Sequence, residues 1–312
     1  MQIKTAEFVS PKHPDKLCDY IADSILDAYL EKDPFSRTAI EVMGGHKLVC
    51  VNGEVKSQAK TDIEQVVKGI VGPDYKVIVN VVEQSHEISR GVDAGGAGDQ
   101  GIMVGYACSQ TDSFMPLEYE LARNLCKEIF KVYPFDGKTQ VTIEDGKPSV
   151  VVASFQNVAK SDLEKIVREK IKAEEYIINP AGDWNIGGFD ADSGLTGRKI
   201  VIDSYGPNVP VGGGSFSGKD CTKVDRSGAY MARKIAVEYL KKNNAKEVTV
   251  KLAYAIGKTE PVMKTAVIDG REEEIQGYDL TPKAIIESLG LRKPFFKKTA
   301  EWGHFGSGLY TP

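Results

Sequence analysis

Leu17, Ile21, Ile25 and Tyr29 recur at four-residue spacing, which lays one apolar stripe along a helix beginning near Pro14. The segments TAIEVM and KLVCV read as a hairpin-like pair of strands behind it, and Asn52-Gly53 is expected to turn the chain again. Thr61 followed by Glu64 has the pattern of a capping box opening a second helix. The same order of elements returns twice. A helix from about Glu118 to Val132 precedes strands TQVTIE and PSVVVASF around Asp145-Gly146, then a capping pattern of Ser161 with Glu164. A helix from near Gly228 to Asn243 precedes EVTVKLAYAI and MKTAVID, then a helix opening at Thr281 with Pro282 in its first turn. Identity between the copies is slight, so the repeat is one of element order. It predicts an α+β fold of three similar domains, over residues 1–86, 96–187 and 188–312, with some elements able to exchange between them.

Three Gly-rich polar segments interrupt these units: Ser85 to Gly101, Asn179 to Arg198, and Gly206 to Lys219. Such segments pack poorly as core, and loops on a rigid scaffold often carry function. The stretch from Ser85 to Gly95 is polar and ends in glycine, the composition of a mobile lid.

Composition narrows the classes. Charged residues are 27% and hydrophobic ones 41% of the 312, ordinary for a folding globular chain and too apolar for disorder. The N-terminus lacks the apolar core of a signal peptide, and no stretch approaches the roughly 20 apolar residues that span a bilayer, so a cytoplasmic protein with no membrane contact is expected. A net charge of -4 offers no general attraction to nucleic acid, so an anionic ligand needs a local cluster of cations. Cys18, Cys50, Cys108, Cys126 and Cys221 show no C-x-x-C spacing and read as buried thiols.

Four segments could supply that cluster and the chemistry with it. His13, Asp15 and Lys16 converge at one helix start, where His and Asp are also ordinary caps and could equally offer a proton donor and a Mg²⁺ ligand. Gly95 to Gly101 is a run of small residues around Asp99, ahead of the strand IMVGYA. Asp192 to Lys199 leads into KIVID, read as a strand; Arg198 and Lys199 there are either solvated edge charges or a grip on phosphate oxygens. Gly212 to Asp220 contains most of a phosphate-loop pattern, but Asp220 stands where Ser or Thr should hold Mg²⁺, and YGPNVPV separates it from the preceding apolar run. Lys147, Arg198, Lys199, Lys219 and Lys223 would offset a triphosphate if they met in space, with Asp15 and Asp225 bringing Mg²⁺. The residues alone reach a nucleotide polyphosphate enzyme.

HPDK at 13–16, GAGDQG at 96–101, GLTGRK at 194–199 and GGGSFSGKD at 212–220 resemble, in this order, the S-adenosylmethionine synthetase family; KVDRS at 223–227, YAIG at 254–257 and GHFG at 303–306 extend the resemblance over almost the whole chain. It implies three similar α+β domains around a pseudo-threefold axis. The implied reaction joins methionine sulfur to the 5′ carbon of ATP and then hydrolyses the released triphosphate to diphosphate and phosphate. Carried over by motif, His13 would assist the leaving oxygen and Asp99 would be an acid close to the reacting atoms. Lys147, Arg198 and Lys219 complete the implied catalytic set. Glu7, His13, Asp145, Lys147, Asp183, Trp184, Asp192, Arg198, Lys199, Ser215 and Lys219 would contact ATP. Glu54, Gln84, Asp99, Asp192 and Lys223 would contact methionine. Asp15 and Asp225 would bind Mg²⁺, two ions per site, and Glu41 one K⁺. The implied assembly is a homodimer with shared active sites, in many members paired into a homotetramer.

The chain departs from the family pattern in three places. The region Gly72 to Val82 is shortened, the chain stops soon after GHFG, and Asp183 puts an anion beside the adenine aromatic Trp184.

Overall fold

In the computed structural model, which describes residues 2–85 and 95–307, the first third of the chain forms β1 (Ile3–Val9), α1 (Pro14–Leu30), β2 (Arg37–Gly45), β3 (Leu48–Lys56), α2 (Ile63–Val71) and β4 (Lys76–Glu83). The second forms β5 (Gly101–Cys108), α3 (Leu117–Val132), β6 (Gly137–Glu144), β7 (Lys147–Phe155), α4 (Lys160–Lys170) and β8 (Glu175–Ile178). The last forms β9 (Gly194–Leu195), α5 (Ile200–Asp203), α6 (Val224–Asn243), β10 (Glu247–Tyr254), β11 (Met263–Ile268), β12 (Arg271–Glu274), α7 (Pro282–Leu289) and α8 (Phe296–Trp302). Residues 86–94, most of the segment read as a lid, lie outside the described residues.

The strands build three four-stranded sheets ordered β1-β6-β7-β8, β9-β2-β3-β4 and β5-β10-β11-β12. In each, a hairpin contributed by one third of the chain is flanked by the leading strand of another third. Thus β1 runs antiparallel to β6, with Val9 opposite Lys138 and Ile3 opposite Glu144; β5 joins β10; and β9 joins β2. The exchange is cyclic. In the first two sheets the fourth strand is parallel to its neighbour, β8 to β7 and β4 to β3, and a helix makes the crossover that parallel pairing requires. In the third sheet β12 is antiparallel, formed by a tight hairpin at Asp269-Gly270.

One helix packs on each hairpin and on the borrowed strand beside it: α1 on β2 and β9, α3 on β6 and β1, α6 on β10 and β5. Cys18, Ile21, Ala22, Ile25 and Tyr29 of α1 meet Ile40, Val42, Val49 and Val51 of its sheet in one core, while Leu26 and Leu30 belong to the larger core shared by the other two units. Helix α1 is therefore buried on opposite sides. The fold is α+β, as the repeat of element order predicts.

Several local expectations are corrected. Asn52-Gly53 makes no turn: it lies inside β3, where a Cβ on Gly53 would sit 2.0 Å from the Ala39 carbonyl oxygen, so glycine permits close strand approach. KIVID is not a strand. Its β-branched residues form the short helix α5 because Asp203 must reach buried Lys16, and tertiary contact overrides strand propensity. The cap of α2 is Asp62, which accepts from the Gln65 N–H, and not Thr61. Helix α4 begins ahead of Ser161; its Lys160 N–H is met by the distant Asp183 carboxylate at 3.0 Å. Thr281 caps α7 as expected, accepting from the Ala284 N–H. Cys18, Cys108, Cys126 and Cys221 are buried free thiols and Cys50 is half-buried. Among the described residues no helix is long and apolar enough to cross a membrane.

Candidate active site

The N-terminus of α1 anchors the site. His13 occupies the cap position, its Nδ1 accepting the Asp15 N–H at 3.1 Å, and Pro14 begins the helix. The ring is buried, and burial, reinforced by the charges of Lys199 and Lys138, lowers its pKa to about 3 against the opposing pull of Asp15 and Asp192. It is a neutral imidazole whose remaining nitrogen, Nε2, is left for chemistry.

Asp15 is 2% exposed and heavily committed. Its Oδ2 takes the Lys199 ammonium at 2.5 Å, its Oδ1 takes the Leu195 N–H at 3.0 Å, and Arg198 Nε lies 3.6 Å away. Burial works against its charge, but the Lys199 and Leu195 hydrogen bonds and the Lys199 charge hold its carboxyl below the ordinary range. GLTGRK is thus drawn onto the start of α1, and Arg198 and Lys199 lie beside Asp15 and not at a strand edge.

The glycine segment 212–218 lies against this loop. A Cβ on Gly197 would come within 2.7 Å of Ser215 Cβ, and a Cβ on Gly214 within 2.1 Å of Asp225 Oδ1. Small residues are required there because two loops and a carboxylate share the space. Lys219 pairs with Asp225, in the first turn of α6, at 2.9 Å. Asp225 also faces the Asp99 carboxyl; burial first, then Asp99, raises its pKa against the charge of Lys219. Glu41, on the open face of β2, sits beside the Thr196 hydroxyl and within the field of Lys219.

Further along the same sheet face, Gln84 Nε2 donates to Glu54 Oε1 at 3.2 Å, while the buried Gln84 Oε1 has no hydrogen-bond partner among the described residues. Lys223 is deeper than expected, 6% exposed and paired with Asp220 at 2.5 Å. Asp220 in turn accepts the Thr38 N–H, so this pair also ties the glycine segment to β2.

A cleft of about 170 Å³ opens beside His13, lined by Asp136, Lys138, Ser154, Trp184 and Asp192. Asp136 and Lys138 were not singled out from the sequence, and Lys147 and Asp145 are not in this cleft. The chain carries two Asp-Gly-Lys tripeptides, 136–138 and 145–147. Register separates them: Lys138 opens β6 opposite Val9, four residues before His13, whereas Asp145 and Lys147 are exposed at the far hairpin tip, where Asp145 bonds the Gln2 N–H. At about 3.4 Å per residue the strand puts the two lysines roughly 20 Å apart. The signal available in sequence was that 136–138 leads into a strand while 145–147 is a turn. Asp136 accepts the Gly188 N–H at 2.9 Å, and burial raises its pKa despite that bond. Glu7 is exposed on β1 opposite Gln140, on the same open sheet face as Lys138. Asp183 spends Oδ1 on the Lys160 N–H and on Asn179 Nδ2, and so acts as a helix cap beside Trp184.

Buried carboxylates that draw glycine loops and lysines onto two helix N-termini are the makings of an enzyme for a polyphosphate substrate. The chain matches the N-terminal domain of S-adenosylmethionine synthetase over residues 1–85, the central domain over 94–184 and the C-terminal domain over 186–311. It is 40% identical to the S-adenosylmethionine synthase of a Nitratiruptor species, over 98% of this chain and 93% of the relative. It is 41% identical to that of a Sulfurovum species, over 97% and 93%, and 38% identical to that of Mycoplasmopsis synoviae, over 97% and 91%. The chain belongs to the S-adenosylmethionine synthetase family. The first two alignments run over 360 positions, more than the 312 residues present, so these relatives carry internal insertions that this chain lacks.

Proposed function

We propose that the chain makes S-adenosylmethionine from ATP, methionine and water, with release of phosphate and diphosphate, at a site built around His13, Arg198, Lys199 and Lys219. The observation that carries this is the meeting of Arg198, Lys199 and Lys219 with Asp15 and Asp225 at two helix starts, although they come from separate segments of the chain.

A thioether is a neutral nucleophile that needs no base, so the barrier lies in alignment and in the charge that grows on the departing triphosphate. Arg198, Lys199 and Lys219 face that charge, and Lys138 replaces Lys147 in this role because it lines the cleft beside His13. With Nδ1 occupied as the helix cap, His13 donates through Nε2–H to the ribose 5′ oxygen as it leaves. Trp184 offers a face to adenine. Asp192 lies in the same cleft, and Asp99, Glu54 and Gln84 supply the carboxylates and amide for methionine and the developing sulfonium. Ser215 and Glu7 lie at the margin of the nucleotide, while Asp183 acts through the Lys160 cap and Lys223 through Asp220.

The oxygen donors suit hard divalent cations: Asp225 and Asp99 place two carboxyls face to face with Lys219 as counter-charge, and Asp15 lies apart beside Lys199, so that among the described residues no three such donors converge and phosphate oxygens would have to complete each shell. Two Mg²⁺ would screen the triphosphate, with Glu41 and the Thr196 hydroxyl suited to K⁺. Met43, Ile78, Val82 and Leu195 are exposed large apolar residues on the sheet face that also bears Glu41 and Glu54. A second copy covering this face would bury them and complete the methionine pocket, giving a homodimer with shared sites.

Incubation with ATP, Mg²⁺, K⁺ and methionine tests the reading. Equal S-adenosylmethionine, diphosphate and phosphate are expected; phosphate without S-adenosylmethionine would reduce the protein to a polyphosphate hydrolase.

A further inference from the structure

Helix α1 carries a second stripe, opposite in character to its apolar one. Asp15, Asp19, Asp23 and Asp27 follow one another at four-residue spacing, so their side chains lie along one face. All four are buried, Asp19 and Asp23 completely. Together they accept backbone N–H groups from three segments of the last third: Asp15 from Leu195 and Asp19 from Gly197 at 2.9 Å in one loop, Asp23 from Gly218 at 2.8 Å, and Asp27 from Phe296 and Lys297.

The middle two are locked by buried cations. Asp19 Oδ2 pairs with Lys16 at 3.2 Å, and Lys16 also bonds Asp203. Asp23 takes Arg226 through both oxygens, at 2.7 and 2.8 Å. The amides they hold belong to Gly197 and Gly218, both in the left-handed region at φ +76° and +81°. Arg198 and Lys199 follow the first, and Lys219 follows the second. The loops therefore change direction at the bonded amide, immediately before the cations of the site.

We propose that Asp19 and Asp23 are positioning residues for the triphosphate, holding the Gly197 and Gly218 amides one helical turn apart on α1 and so setting the spacing between Arg198–Lys199 and Lys219. Neither carboxylate touches substrate. The inference rests on the assignment of those cations to the triphosphate. It predicts that both loops are already in register before substrate binds, because the bonds that hold them involve no ligand.

Asp19→Leu keeps the branching at Cγ, at a larger volume, but removes the acceptor; Asp19→Asn keeps an oxygen for Gly197 while Lys16 retains Asp203. With Mg²⁺ and imidotriphosphate in calorimetry, Asp19→Leu should bind about tenfold or more weakly and Asp19→Asn within about threefold of the unmodified protein. The KM for ATP should rise in Asp19→Leu while that for methionine stays unchanged. A purely structural role would lower the active fraction and move neither KM. Lys199→Met is the control. If it binds imidotriphosphate normally, the cation assignment fails; if it weakens binding while Asp19→Leu does not, the positioning role alone is overturned. Should Asp19→Leu not fold, amide exchange on the unmodified protein still decides. The Gly197 and Gly218 N–H groups should be protected without any triphosphate, and exchange as rapid as that of an open loop would overturn the inference.

Discussion

His13 Nδ1 accepts the backbone N–H of Asp15 at 3.1 Å, so the residue that opens α1 serves as its cap and Nε2 is the nitrogen through which the proposed proton donation would run. The two roles use different nitrogens and can be separated by substitution.

His13→Asn keeps a capping oxygen but removes the Nε2–H donor. Stability in urea should change by less than about 1 kcal/mol, while synthesis falls roughly a hundredfold. Near-normal synthesis by this variant would remove His13 from the chemistry.

The same variant isolates a pH effect. Folding lowers the His13 pKa from 6.5 to about 3, so between those values the unfolded chain binds the extra proton and the folded state loses stability as pH falls; above 6.5 the group adds no pH dependence. Asn does not titrate. Between pH 6.5 and 5 the stability of the unmodified protein relative to His13→Asn should therefore decline by up to about 1.4 kcal/mol per pH unit. A difference that stays flat across this range would show that the imidazole is not held neutral.

Lys138→Met and Lys147→Met compare the two Asp-Gly-Lys copies. Loss of the cleft lysine should lower kcat/KM for ATP by about a hundredfold, the scale of one lost transition-state donor. Loss of the hairpin-tip lysine should leave it within about twofold. The reverse order would place the nucleotide at the far end of the sheet.

Val82→Glu puts a charge on the open face of β4, where the side chain is 59% exposed and free to take water in an isolated chain. Sedimentation should show the monomer favoured, with activity per chain falling in parallel and the melting temperature of the monomer little changed. Full activity in a monomer would argue against a shared site.

Arg226 and Asp23 are both fully buried, so removing one charge strands the other. Arg226→Met should cost about 3–5 kcal/mol in urea unfolding, and Asp23→Leu combined with Arg226→Met markedly less than the sum of the single changes. Additive losses would mean that the two side chains are not a coupled pair.

Much of the fold was legible in the chain because its signals are local. The apolar spacing of Leu17 to Tyr29, the Asp145-Gly146 turn and the Thr281-Pro282 start each depend on neighbours a few residues away, and each stands in the structure. Local signals failed where a distant group supplied the bond. Ser161 looked like a cap, but Asp183 meets the first amide of α4; Ile200 to Ile202 had the β-branching of a strand, but Asp203 was drawn to Lys16.

The sequence by itself determined the family, the three-unit order and the motifs that carry His13, Asp15, Arg198, Lys199 and Lys219, since these are short runs whose residue types the chemistry requires. Only the tertiary structure decided which Asp-Gly-Lys stands beside His13, which sheet receives each leading strand, and what the four aspartates of α1 hold. Strand register and burial settle those points, and both arise from pairing between segments far apart in the chain. A single carboxylate reads the same in sequence whether it faces water or a buried backbone amide; the loss of water on folding is what turns Asp19 and Asp23 from surface charges into fixed acceptors.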